Sequence, residues 1–138
     1  MSLVIDNSMA LAWTLIDEHS DASDTVLNSV MQDGGHVPFI FRAEYANGLT
    51  MAVRRKRLDD NGRSEALAFL ESLDLTYDFE GNSRIGAVIG LADRYSLTVY
   101  DALYLELAQR LACPLGTFDK KLARAARDAS VALVVPGA

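Results

Sequence analysis

The sequence predicts an α/β fold, a mainly parallel central sheet flanked by helices. Three observations predict it: short apolar runs that stop at polar residues, helical periods between those runs, and the absence of any linker or internal repeat. Leu3-Val4-Ile5, halted by Asp6, reads as a strand buried on both faces. Ser8 is placed to cap a helix through Ala10, Leu11, Ala12 and Trp13. A second helix covers about 20–31, with Ala22, Val26, Leu27 and Val30 on one face. Asp33-Gly34-Gly35 ends it before a strand at His36-Val37-Pro38. The third helix, about 41–55, offers Tyr45, Leu49, Ala52 and Val53 to the core. Asp59-Asp60-Asn61-Gly62 opens a fourth, through Ala66, Leu67, Phe69, Leu70 and Leu73, followed by a strand candidate over about 73–77. Periodicity then gives helices over about 85–95 and 100–111, a strand over 114–117, a helix over 122–127 and a last apolar strand over 131–135.

The chain has 138 residues, half of them hydrophobic, which is enough for one domain, 1–138, around one core. Nineteen acidic against thirteen basic residues give a net charge of −6. That balance disfavours a general nucleic-acid coat protein, whose affinity comes from a basic surface. The single Cys113 has no internal partner for a disulfide, so nothing points to an oxidising compartment. No window reaches the roughly 18 uncharged apolar residues of a membrane span. The apolar opening has no basic n-region and carries Asp6, so a cytoplasmic location with no membrane partner is expected.

In a parallel α/β sheet, ligands sit at the carboxyl ends of the strands, which directs attention to the residues just after them. Asp6 and Asp119 stand there. Glu44 and Asp101 lie in apolar surroundings near helix starts. Taken singly, each acid reads equally well as a helix cap or a first-turn charge. If the four converge, however, their carboxylates repel one another and call for a divalent counter-charge, and all-oxygen ligation suits Mg²⁺ or Mn²⁺. His19 and His36 fall outside this pattern, so a pair of imidazoles acting as acid and base is disfavoured. Cys113, beside Pro114 in apolar sequence, reads as core. Neither a Gly-x-Ser-x-Gly elbow nor a phosphate-binding glycine loop occurs.

Four motifs carry a family resemblance. They are Val4-Ile5-Asp6-Asn7-Ser8; Pro38 followed by Glu44 and Asn47; Asp101-x-x-Tyr104-Leu105-x-x-Ala108; and Leu115-x-Thr117-x-Asp119-x-x-Leu122. Together, and in this order across the whole chain, they resemble a PIN-domain ribonuclease, most similar to the VapC-type toxins of toxin–antitoxin pairs. Asn7, where a small residue is more usual, is the main departure and bears on local loop geometry only. The resemblance implies that the first and fourth strands are neighbours. It implies that Asp6, Glu44, Asp101 and Asp119 form the metal-binding catalytic cluster, and that a cognate antitoxin and a second copy of the chain are partners. Ser8 and Thr117, two residues from an acid, and Asn47, on the Glu44 helix face, are expected to support the carboxylates.

The densest basic run is Arg54-Arg55-Lys56-Arg57, about 15 Å along the helix from Glu44. It reads either as a charge set complementing the helix end or as a contact for RNA phosphates. Arg42, Lys120 and Lys121 lie nearer the acids and are candidates for the same role. The function expected is a metal-dependent endoribonuclease cutting single-stranded or looped RNA. Two rivals stand beside it: a PIN-like scaffold without activity, and an acid-rich phosphohydrolase with Asp6 as nucleophile. The second rival wants another Asp two residues on, where this chain has Ser8.

Overall fold

The structure, a computed structural model, describes residues 2–134. Its four strands are β1 (Leu3–Ile5), β2 (Gly35–Pro38), β3 (Leu75–Asp78) and β4 (Leu115–Gly116). They form one sheet in the order β3-β2-β1-β4, and every ladder is parallel. Around it lie α1 (Asn7–Thr14), α2 (Asp21–Asp33), α3 (Phe41–Arg54), α4 (Asp60–Ser72), α5 (Ile85–Tyr95), α6 (Val99–Leu111) and α7 (Lys120–Asp128). Two 3-10 turns, Ile16–Glu18 and Glu80–Arg84, are too short for periodicity to foresee. Among the described residues no helix is long and apolar enough to cross a membrane.

The strand β1 runs down the middle, with Val4 registered against both His36 and Leu115. Leu3, Val4 and Ile5 are buried, each worth about 1.5–3 kcal/mol when fully removed from water. α6 lies over β1 and β2 with seven consecutive buried residues, Ala102 to Ala108. This explains why its polar Glu106 needs a charged partner. α2 begins with a full capping box between Ser20 and Ser23. It ends at Gly34, whose φ of +77° suits glycine and whose missing Cβ would sit 3.2 Å from the Asp74 carbonyl.

Two expectations need correcting. Ser8 is not the cap of α1; Asp6 is, because its carboxylate accepts the Met9 amide while Ser8 lies inside the first turn. The apolar stretch 131–135 reduces, within the described residues, to one parallel bridge between Leu133 and Leu115. The Val131 amide is still engaged with Ala126 at the end of α7, so pairing begins late. Residue 135 lies outside the described residues.

This strand order sets the site. From β1 the chain builds outward through β2 and β3, then returns to place β4 on the other side of β1. The strands on either side of that reversal point their carboxyl ends into one crevice, the usual ligand position of such sheets.

Candidate active site

Asp6, one residue past β1, is only 5% exposed. Its Oδ1 accepts the Ser8 hydroxyl (2.7 Å) and the Met9 amide (3.0 Å), and its Oδ2 accepts the Thr117 hydroxyl. Thr117 stands one residue past β4, so this bond ties the two central strands together at the crevice. Ser8 in turn accepts the Phe118 amide (2.9 Å), and Thr117 accepts the Asp119 amide (3.0 Å). Burial pushes the Asp6 carboxyl up to about 6 despite these three donors, and the charge of Asp119 adds to the rise. Asp119 caps α7, its Oδ1 accepting the Lys121 and Leu122 amides.

Asp101 belongs to the first turn of α6, where its amide donates to the capping Thr98 hydroxyl at 3.1 Å. Burial raises its pKa and the Asp119 charge raises it further, while Thr98 and Lys121 oppose the rise. Glu44 comes from the first turn of α3. Burial raises its pKa too, the Tyr104 hydroxyl opposes, and the Asp101 charge adds. That hydroxyl, one turn along α6 from Asp101, donates to Glu44 Oε1. Burial, then the charges of Glu44, Asp6 and Asp101, hold Tyr104 far above an ordinary phenol, so it stays a donor.

All four carboxylates therefore sit at the starts of helices, α1, α3, α6 and α7, whose amino ends converge on one place. The positive ends of those helices favour anionic charge, by about 0.3–1 kcal/mol per helix for exposed groups. Asp6, Glu44, Asp101 and Asp119 line one cleft of about 280 Å³ with Asn7, Ser8, Leu11, Glu18 and Tyr104. The donor chemistry fits Mg²⁺ or Mn²⁺: hard oxygens, with burial and mutual repulsion already raising three of the four carboxyls. Asn7 Oδ1 is also buried without a hydrogen-bond partner, one more oxygen at the cleft wall. The cluster is open as it stands. Among the described residues no three Asp, Glu, His or Cys groups stand close enough together to hold an ion.

The expected supporting residues divide. Ser8 and Thr117 hold Asp6 directly. Asn47 does not reach Glu44: it is exposed and outside the cleft, and Tyr104 takes the place expected of it. Of the candidate RNA contacts, Arg42 is paired with Glu71 of α4. Arg57 is tied to Asp17 (2.9 Å) and Glu18 (2.6 Å), so it braces the 3-10 turn at the cleft rim. Arg54, Arg55 and Lys56 are exposed at the end of α3, and Lys120 and Lys121 are exposed at the start of α7. Tyr104 carries a signal in the sequence, its i+3 spacing from Asp101 on one helix, to which the motif reading attaches no role. Glu18, in a polar connection, offered none.

The histidines and the cysteine lie elsewhere. His19 is an exposed partner of Asp24, His36 is inside β2, and Cys113 packs beside the core with its thiol on the Leu111 carbonyl.

Comparison with known proteins matches residues 3–128 to the PIN domain. A VapC ribonuclease of Mycobacterium bovis is 30% identical over 139 residues, covering 97% of this chain and 98% of its own. Ribonuclease VapC3 of Pyrobaculum aerophilum is 28% identical over 124 residues, covering 89% and 93%. Among solved structures, PAE2754 from Pyrobaculum aerophilum superposes with a TM-score of 0.68 at 20% identity, over 91% of this chain and 84% of that one. VapBC2 from Rickettsia felis, bound to a DNA fragment from its promoter, gives 0.66 at 16% identity, over 96% and 97%. At those identities the superpositions speak for the fold.

Proposed function

The chain belongs to the PIN-domain family, and from that premise we propose that it is a metal-dependent endoribonuclease, the toxin of a toxin–antitoxin pair acting in the cytoplasm. The observation that carries the proposal is the convergence of Asp6, Glu44, Asp101 and Asp119, from four helix starts, on one cleft at the strand reversal. These carboxylates would hold Mg²⁺ or Mn²⁺, and the ion would supply charge neutralisation at phosphorus and a water acidic enough to attack. The protein's part is positioning. Ser8, Met9 and Thr117 fix both oxygens of Asp6, and Tyr104 fixes Glu44. The VapC relatives support an RNA substrate and the VapBC neighbour supports an antitoxin partner; a homodimer is part of the same reading.

Neither His19 nor His36 lines the cleft, so the 2′-hydroxyl has no imidazole base there. In the PIN-family reading water, activated at the carboxylates, is the nucleophile, and cleavage would leave 5′-phosphate and 3′-hydroxyl ends. End-group analysis of cut RNA tests this: chelator abolishes cleavage, Mg²⁺ or Mn²⁺ restores it, and cyclic phosphate ends would overturn the proposal. A PIN-like scaffold without activity is the outcome if folded, metal-loaded protein leaves RNA intact. The phosphohydrolase rival lacks its second acid, since Ser8 stands at that position and donates its hydroxyl to Asp6.

Tyr104→Phe keeps the ring and removes the hydrogen bond that the hydroxyl donates to the Glu44 carboxylate. Mn²⁺ affinity and cleavage should each fall about tenfold, the usual scale for a bond to a charged group. Calorimetric titration and a rate measurement check it; unchanged values would mean that Glu44 needs no holding.

Replacing Arg54, Arg55 and Lys56 by Ala should weaken RNA binding and flatten its salt dependence by up to about three units of slope, one per lost phosphate contact. Adding Arg57→Ala should change the slope little, because that guanidinium already serves Asp17 and Glu18. An unchanged slope in the triple variant returns the run to its helix-end reading.

A further inference from the structure

We propose that Tyr100 is a stacking platform for an unpaired RNA base at the mouth of the acidic cleft. The inference rests on the ribonuclease reading above and names what holds the substrate there.

α6 carries Asp101 and Tyr104 into the cleft wall. At 3.6 residues per turn, Tyr100 falls about 40° around the helix from Tyr104 and about 6 Å nearer the helix start. Side chains on a helix lean toward its amino end, which is the end of α6 that brings the neighbouring Asp101 to the cleft. Tyr104 is 1% exposed and sealed under Glu44, whereas Tyr100, on the neighbouring stripe, is 61% exposed. It is not among the side chains packed on the hydrophobic core.

A solitary exposed tyrosine needs no explanation. Here the surroundings supply one. Lys120 and Lys121 are exposed in the first turn of α7, and Lys121 is near enough to Asp101 to favour its charged form. Beside the carboxylates of the cleft therefore stand an exposed aromatic ring, on the residue next to Asp101, and the Lys121 ammonium. Those carboxylates repel phosphate, so attraction must come from the rim. Stacking supplies attraction without charge, and rings beside cations are how single strands are gripped without reading sequence. A paired base has both faces occupied by its neighbours, so the occupant is single-stranded or looped RNA.

The test uses the full chain with Asp119→Asn, which keeps the RNA intact while an Asn still caps α7. Fluorescence anisotropy with a labelled single-stranded RNA should show about tenfold weaker binding for Tyr100→Ala, within the range measured for single stacking contacts. Tyr100→Phe and Tyr100→Trp should stay within about twofold of the parent. An RNA carrying 2-aminopurine should be quenched by the parent and not by Tyr100→Ala. Equal binding by Tyr100→Ala, or a Phe variant as weak as the Ala variant, overturns the proposal. So does equal competition by duplex RNA, or a change in oligomeric state as the sole effect of Tyr100→Ala. If the wild-type chain with metal neither binds nor cuts RNA, the ribonuclease reading falls as well; if it does both and Tyr100→Ala matches it, only the platform falls.

Discussion

Asp6→Asn is expected to melt higher than wild type at pH 8 in chelator and, assayed with Mg²⁺ or Mn²⁺, to cleave RNA about 10³-fold more slowly. The two effects share one cause. Burial lifts the Asp6 carboxyl from 3.8 to about 6, so the folded chain takes up this proton more readily than the unfolded one. Between those values the folded state binds more protons, and stability falls as pH rises through that window. The full difference is about 3 kcal/mol of buried, unneutralised charge carried above pH 6. Glu44 and Asp101, both raised, push the same way. An Asn retains an acceptor for Ser8 and Met9 but matches the Thr117 hydroxyl less well, which gives back about half of that gain. A net rise of roughly 5 °C in Tm follows for a chain of this length. At pH 4 the advantage should vanish. Mn²⁺ should stabilise wild type at pH 8 and the variant little, since only a ligand bound to the folded state raises its melting point. Thermal melts at both pH values, with and without metal, decide it. A variant less stable than wild type at pH 8 would mean that the hydrogen bonds outweigh the charge, and that Asp6 is a structural cap before it is anything else.

Arg110→Ala should cost about 3–5 kcal/mol, enough to lower Tm by 10 °C or more, without touching the chemistry. The Arg110 guanidinium is 15% exposed and binds Asp78 (2.7 Å), Glu106 (3.0 Å) and Glu80 (2.9 Å). Asp78 and Glu106 are themselves 16% and 9% exposed, so removing the cation strands two carboxylates where water barely reaches. The hydrogen bonds from Arg110 hold the Asp78 carboxyl below the usual range. That contribution to stability is present above pH 4 and disappears as pH falls through the lowered value. The damage from Arg110→Ala should accordingly shrink in acid. None of these residues lines the acidic cleft, so cleavage per folded molecule should be unchanged. Replacing Arg110, Asp78 and Glu106 together by apolar residues should recover most of the loss, because the cost lies in the unpaired charge. Denaturant titration measures it, and a loss under 1 kcal/mol would show that the network trades freely with water.

Much of this molecule is local. β1 is a strand because three apolar residues end at an acid, α2 starts at Ser20 because a capping box follows, and α5 spans Ile85–Tyr95 where the period places it. The four acids were legible for the same reason: each sits at a strand end or in a first helical turn, positions that one-dimensional patterning marks well. The sequence by itself determined the element order and the parallel sheet class, and it marked as candidates the four acids that line the cleft.

What it left open were choices between chemically equal candidates. Asp6 and Ser8 are both good caps, and β4 decides between them, because the Phe118 amide and the Thr117 hydroxyl reach across from a strand over a hundred residues away. Asn47 and Tyr104 both have the spacing to serve an acid, yet packing of α6 over β1 and β2 brings only Tyr104 to Glu44. Arg54 to Arg57 read as one basic run until the fold delivers Asp17 and Glu18 to Arg57, about 40 residues back along the chain, and makes it a brace. Helix and strand periods come from the backbone, which each short segment carries with it; partner choice comes from distances across the sheet, which exist only after the segments have packed.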